Sequence, residues 1–402
     1  MNFLILSVTA GEGHNSTARA VKEEAERLGS DCTILDTFQY ISPELAKVVS
    51  EGYLLVTEKA KTAYKLGYRL AEKRRPDAEH LPYKIMNLAM SDDLAECING
   101  GDFDVVLFTH PFVGPILDVM KERHIIHKRT VGILTDFTFH PYWEDATRND
   151  YVVTPDQLLL PQARRKGFAD QQILPFGIPI SPRFSQKTEQ HEARKQLGVD
   201  PNLPTILLMG GSMGYGNMLE VVQSIDKIAM DAPFQLLVVC GNNADAKAEI
   251  EQFAPEAKHP VHAFGFVKNI PTFMDAADCL ISKPGGLTTS EALAKGLPMI
   301  IVKPIPGQEE RNAEFLLNAG CAMRVSKTCP IDECIFQLFS SKTRLDAMRL
   351  AVSAVGKPDS TERLGQFLVD LAHTPIISNE KLSSSDFAAN PLFIGEDGYI
   401  IR

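Results

Sequence analysis

The stretch Leu280-Ile281-Ser282-Lys283-Pro284-Gly285-Gly286-Leu287-Thr288-Thr289-Ser290-Glu291-Ala292-Leu293-Ala294 reads as a buried strand that ends on two glycines and runs straight into a helix. A helix N-terminus carries unpaired N–H groups and a partial positive charge, and adjacent glycines let anionic oxygens approach the backbone with no Cβ in the way. The turn Pro284-Gly285-Gly286-Leu287 is therefore an expected anion site. Thr288 and Thr289 add hydroxyl donors, and Glu291, one turn along, can reach back to a sugar diol. A turn that uses glycine only for backbone freedom has the same local sequence.

The next such unit is Val302-Lys303-Pro304-Ile305-Pro306-Gly307-Gln308-Glu309-Glu310-Arg311-Asn312, where a strand ends at a Pro/Gly turn and amide and carboxylate side chains open a helix. Gln308, Glu309 and Asn312 suit hydrogen bonds to neighbouring hydroxyls, or are ordinary polar residues of a first helical turn. In a parallel sheet the two segments emerge side by side at the carboxyl edge, where ligands bind.

Outward from this pair, short β-rich runs alternate with helical patterns, which predicts parallel sheets covered by helices. Strands are expected near 3–9, 32–36, 104–108, 130–135 and 150–154, and again near 204–210, 234–240, 278–282 and 298–303. The 402 residues exceed what one core usually supports, so the fold class is α/β with two doubly wound, Rossmann-like domains. The expected division is 1–176 for the first domain, 177–200 for a linker, 201–372 for the second domain and 373–402 for a tail, which can pack back on the first domain.

In the first half, Thr9-Ala10-Gly11-Glu12-Gly13-His14-Asn15-Ser16 joins strand one to a helix with an apolar face of Ala18, Val21, Ala25 and Leu28, stopped by Gly29. It is nearly a dinucleotide fingerprint, with Asp36 where a ribose-binding acid belongs, but Ser16 replaces the third glycine and His14 intrudes, so that reading is set aside. A second constellation is Leu134-Thr135-Asp136-Phe137-Thr138-Phe139-His140-Pro141-Tyr142-Trp143, a strand ending in a carboxylate, followed by a loop with a histidine and the only tryptophan. Asp136 is either a catalytic strand-end carboxylate or the cap of the following turn. His110 is expected to pack rather than react. In the second half, Gly210-Gly211-Ser212-Met213-Gly214 and Cys240-Gly241-Asn242-Asn243 add two further glycine turns.

Taken together, Gly265-Phe266-Val267, Ser282-Lys283-Pro284-Gly285-Gly286, Glu291-Ala292, Gly296-Leu297-Pro298, Pro306-Gly307-Gln308-Glu309 and Asn312 resemble the donor half of nucleotide-sugar glycosyltransferases with the GT-B fold. The chain looks most similar to the monogalactosyldiacylglycerol synthases and processive diacylglycerol glucosyltransferases, over roughly residues 3–370. The resemblance implies two domains facing a cleft, an N-terminal lipid-acceptor domain and a C-terminal UDP-sugar domain. It implies that Gly211 and Ser212 flank the diphosphate beside Gly241, and that Phe266 and Val267 contact the base. Gly11-Glu12-Gly13-His14 matches the family's Gly-x-Gly-His signature, and Asp136 with His140 its Thr-Asp…His motif, so His14 and Asp136 compete for the role of general base. An imidazole near pKa 6.5 suits that role at neutral pH.

Bulk properties narrow the partners. A net charge of −10 argues against nucleic acid, and no apolar run approaches a membrane span. The first residues read as a strand rather than a signal peptide. Seven scattered cysteines without a CxxC suggest neither a disulfide framework nor a zinc site, and hence a cytoplasmic setting. Asp102-Phe103-Asp104 spells a DxD, but precedes an apolar strand in the wrong domain; no essential metal or cofactor is expected. From Lys59 to Arg75 the charge reverses, with seven basic residues against one acid. Lys59, Lys61, Lys65 and Arg69 interleave with Tyr64 and Tyr68, which suits an anionic membrane surface, or else a solvated helix. The expected function is inverting transfer of glucose or galactose from a UDP-hexose to diacylglycerol or a glycosyl-diacylglycerol, by a protein peripheral to the inner face of the cell membrane. His140, Trp143 and Gly13 are expected on the acceptor side. The alternatives are a UDP-sugar epimerase or hydrolase, a UDP-N-acetylglucosamine transferase acting on another lipid-linked acceptor, and a silent UDP-sugar-binding protein.

Overall fold

The computed structural model describes residues 1–9, 12–44, 46–47, 91–210, 217–228 and 233–374. The expected basic segment around Lys59, Lys61, Tyr64, Lys65, Tyr68 and Arg69, the expected diphosphate residues Gly211 and Ser212, and the tail from 375 onward lie outside the described residues.

The N-terminal sheet holds β1 (Asn2–Ser7), β2 (Asp31–Asp36), β3 (Val105–Phe108), β4 (Arg129–Ile133), β5 (Tyr151–Val153) and β6 (Ile173–Leu174), in the order β2-β1-β3-β4-β5-β6. The helices between them are α1 (Glu12–Arg27), α2 (Thr37–Ile41), α3 (Ser91–Gly100), α4 (Val113–Glu122) and α5 (Leu160–Arg165). The C-terminal sheet holds β7 (Thr205–Met209), β8 (Gln235–Val239), β9 (Val261–Phe264), β10 (Cys279–Ser282), β11 (Met299–Ile301) and β12 (Ala322–Arg324), in the order β12-β11-β10-β7-β8-β9. Its helices are α6 (Gln190–Gln196), α7 (Met218–Asp226), α8 (Ala244–Phe253), α9 (Ile270–Ala276), α10 (Gly286–Ala294), α11 (Gln308–Asn318), α12 (Ile331–Phe339) and α13 (Lys342–Val355), followed by α14 (Ser360–His373).

Every strand pairing is parallel, and the central strands are buried on both faces. In β1, Phe3 and Ile5 enter one core while Leu4 and Leu6 enter the other, the period-two alternation of a strand with helices on each side. Strand order reverses between β1 and β3 in the first sheet and between β7 and β10 in the second. At such reversals neighbouring crossovers diverge to opposite faces and leave a crevice beyond the carboxyl ends of the strands.

The structure adds β6, β9 and β12 to the expected strands, and all three lie at or next to a sheet edge. They are short, and β9 is half-buried along its length, so they lack the apolar run that marks a central strand. A second difference concerns the end of the chain. The sequence reading assigned residues up to 372 to the second domain, but α14 packs on the first: Leu364, Leu368 and Leu371 share a core with Phe3, Ile5, Ala18 and Val21. Arg129 also donates to the Leu371 carbonyl. The apolar spacing of α14 was visible in the sequence; the sheet it covers was not.

Candidate active site

The first helix begins earlier than expected, so His14 stands in the first turn of α1 rather than in the loop before it. Its Nδ1–H donates to the Thr109 carbonyl at 2.7 Å, with the Thr135 hydroxyl at 3.1 Å from the same nitrogen. Fixing the proton on Nδ1 leaves Nε2 as the lone-pair nitrogen. The ring lies against that of His110, centroids 4.5 Å apart, and burial lowers the His14 pKa to about 4. Burial thus makes the His14 imidazole less basic than the ordinary side chain the sequence suggests. His110 is buried and packs against Phe38, Phe112 and His14, the packing role expected for it.

Asp136 follows β4 and is half-buried at the cleft floor. Desolvation raises its carboxyl to about 7, with Glu309 pushing the same way and a hydrogen bond from Asn312 opposing it. Asp36, the acid of the near-fingerprint, is engaged locally: it accepts from the Thr9 backbone at 3.0 Å and caps α2 through Gln39 N–H at 3.0 Å. The DxD is likewise structural in part, since Asp104 accepts the Asn2 N–H at 2.8 Å.

The two glycines opposite Asp136 have different surroundings. A Cβ on Gly285 would meet nothing within 4 Å, so this position is open to an approaching anion. A Cβ on Gly286 would lie 1.8 Å from the Thr135 carbonyl oxygen and 3.2 Å from Asp136 Cα. The second glycine therefore brings the N-terminus of α10 against the N-terminal domain, a role the sequence reading assigned to phosphate contact. Along α10, Leu287 and Thr288 are half-buried, while Thr289 faces inward at 0% exposure. Glu291 is half-buried and raised to about 8 by desolvation, partly offset by the Arg183 guanidinium, a residue of the linker that sequence reasoning missed.

Other expected donor residues cluster around the same carboxyl edge. Phe266, after β9, is 62% exposed and Val267 is half-buried; Gly241 follows β8 with φ +60°. Glu309 opens α11 and its Oε2 accepts the Ile305 N–H at 2.6 Å. Gln308 lines a pocket together with Thr109, Thr135, Asp136, His140 and Trp143, so both domains contribute to its wall. His140 accepts the Tyr142 N–H at 3.3 Å and starts a short 3₁₀ turn.

Two of the expected site residues are held by neighbouring protein groups. Asn312 is completely buried, and its amide is engaged by protein: Oδ1 accepts Phe137 N–H at 2.7 Å, while Nδ2 donates to Asp136 Oδ1 at 2.7 Å and to the Pro284 carbonyl at 3.0 Å. Trp143 is 3% exposed and stacks on Phe108 at 5.4 Å, so its indole belongs to the core and presents only part of itself to the pocket, not to a membrane. Gly13 is half-buried with open space where a Cβ would stand. The missed signals were the threonines: Thr109 and Thr135 stand next to residues already singled out, yet contribute a carbonyl and a hydroxyl to His14.

Two parallel-sheet domains meeting over a cleft, with a helix N-terminus on one side and a strand-end carboxylate on the other, form the GT-B fold. The model of the monogalactosyldiacylglycerol (MGDG) synthase family matches residues 14–180, and that of the glycosyltransferase family 28 C-terminal domain matches 205–364. A processive diacylglycerol beta-glucosyltransferase of Bacillus pumilus is 28% identical over 381 residues, covering 94% of this chain and 96% of that protein. The chloroplastic monogalactosyldiacylglycerol synthase of Spinacia oleracea is 27% identical over 388 residues, covering 93% of this chain and 73% of that one. Among solved structures, MurG of Acinetobacter baumannii superposes with a TM-score of 0.64 at 15% identity, covering 92% of this chain and 99% of that one, a likeness of fold. The chain is thus a glycosyltransferase whose first half matches the monogalactosyldiacylglycerol synthase family and whose second half matches the family 28 C-terminal domain, similar along nearly its whole length to diacylglycerol glycosyltransferases.

Proposed function

We propose that the enzyme transfers glucose or galactose from a UDP-hexose to the hydroxyl of diacylglycerol or a glycosyl-diacylglycerol, with inversion, at the inner surface of the cell membrane. The observation that carries this reading is the pocket walled by Asp136 from one domain and Gln308 from the other, beside the open Gly285 turn. The relatives' names supply the acceptor class.

In this reading the diphosphate rests at the N-terminus of α10, whose unpaired N–H groups offset the charge that develops on departing UDP, so no metal is needed for that role. Glu291 holds the ribose. The acceptor hydroxyl gives its proton to the Asp136 carboxylate as its oxygen attacks the anomeric carbon, and the C–O bond to the diphosphate breaks with the electron pair leaving on UDP. Backside displacement converts an α-linked donor into a β-glycoside. Asp136 is preferred to His14 as base because a pKa of about 7 lies near working pH, whereas about 4 makes the imidazole a poor proton acceptor. His14 then orients the Thr135–Asp136 segment through the Thr135 hydroxyl.

Mass spectrometry of lipid products after incubating the protein with diacylglycerol vesicles and a panel of UDP-sugars tests the reading. A hexosylated diacylglycerol, with UDP release dependent on lipid, is the expected result. Epimerised or hydrolysed UDP-sugar formed equally without lipid would replace it with the epimerase or hydrolase reading.

A further inference from the structure

Asn312 is the one residue of the donor-side motifs whose amide reaches across the cleft to the candidate base. It belongs to α11 of the C-terminal domain, yet two of its three hydrogen bonds end on Asp136 and Phe137 of the N-terminal domain. The third holds the Pro284 carbonyl at the turn into α10. Together these bonds use the carbonyl oxygen and both amide hydrogens of a completely buried side chain. The adjoining contact of Gly286 with Thr135 closes the same seam.

From this geometry we infer that Asn312 is a positioning residue, holding Asp136 from the opposite domain so that the base is set in place only when the two domains are in contact. The inference rests on the reading of Asp136 as the base. With Oδ1 tied to the amide, Oδ2 is the oxygen available to an acceptor hydroxyl. An N–H donated to a carboxylate favours its ionised form, so the same bond keeps Asp136 a usable base near neutrality. The other titratable groups around it are Glu309 on α11, His14 on α1 through Thr135, and His140 across the pocket. None of these is altered in the variants below.

Asn312→Asp keeps the side-chain size and an acceptor for Phe137 N–H but removes the donor to Asp136; Asn312→Ala removes both. The Asp136 carboxyl is followed by ¹³C NMR titration of the full chain, its resonance assigned by loss in Asp136→Asn. It is expected to titrate about one pH unit higher in Asn312→Ala and further up in Asn312→Asp, where two carboxyls face each other. The acidic limb of the kcat profile should move with it, and transfer at pH 7 should fall roughly tenfold or more, with the KM for UDP-sugar changed by less than about threefold. An unmoved Asp136 titration in both folded variants, with Asp136→Asn inactive, overturns the role of Asn312 alone. Transfer that survives in Asp136→Asn overturns the base assignment and the positioning role with it.

Discussion

At the scale of single residues, three side chains, His14, Asp136 and Glu291, are shifted by burial, and their signs make distinct predictions. A base must be deprotonated, so if Asp136 takes the acceptor proton, kcat/KM is lost as pH falls through about 7. Asp136→Asn should then lower kcat at least about a hundredfold, whereas His14→Ala should cost less and leave the limb where it is. Steady-state rates between pH 5 and 9 measure both, and a rate that stays flat down to pH 5, as a base with a pKa of about 4 would give, would assign the base to His14. The same shifts bear on stability. Carboxyls raised in the folded state bind protons that the unfolded chain has already released, so stability falls as pH rises through about 7 for Asp136 and about 8 for Glu291. His14 has the opposite sign, but its window closes at the unfolded value near 6.5. Melting temperatures of the ligand-free protein should therefore drop between pH 6.5 and 8, and less so in Glu291→Gln; an equal slope in that variant would show that Glu291 is ionised throughout. Glu291, Gln308 and Asp136 could be chosen from motif position because strand ends and first helical turns are visible in a sequence. Asn312 was found by the same logic, but its partners come from residues about 175 positions away, which no local pattern records.

Among elements, the seam between α10 and the end of β4 decides how close the domains come. Gly286→Ala would drive a methyl into the Thr135 carbonyl, and carbonyl backbone cannot swing aside as a side chain can. Alanine is otherwise favoured in a helix, so the substitution should leave thermal stability nearly unchanged while separating the domains at the site. Transfer should fall at least about tenfold, with UDP affinity measured by calorimetry nearly intact; unimpaired transfer would mean the seam is open during turnover. The two glycines read alike in sequence, and only the packing of another domain distinguishes Gly285 from Gly286. Trp143 shows the same limit. A lone tryptophan after a strand is placed on the acceptor side by its motif, but sequence does not record that the 3₁₀ turn begun at His140 folds it under the loop onto Phe108. Central strands were readable because both faces are apolar; of the four edge strands only β2 was, while β6, β9 and β12 were not.

For the molecule as a whole, the acidic balance and the basic run from Lys59 to Arg75 give the membrane prediction. Replacing Lys59, Lys61, Lys65, Arg69, Lys73, Arg74 and Arg75 by Gln should release the protein from anionic vesicles and depress transfer to bilayer acceptor while sparing UDP binding. Co-sedimentation that matches the unaltered protein would assign those residues to an ordinary surface. Among the described residues, no helix is long and apolar enough to cross a membrane. The return of α14 to the N-terminal sheet means that the chain passes between the domains twice, after β6 and again between α13 and α14. The two passages are laced together: Ser360 and Thr361 donate to the Ile178 and Ile180 carbonyls at 3.0 and 2.6 Å, and Lys357 pairs with Asp156 at 3.3 Å. Gly177, at φ +97°, leaves so little room that a Cβ there would stand 2.5 Å from that of Lys357. A single tether would let one lobe twist freely against the other. Two adjacent, bonded crossings oppose that twist, so the register of Asn312 against Asp136 is held at the hinge side as well as at the seam.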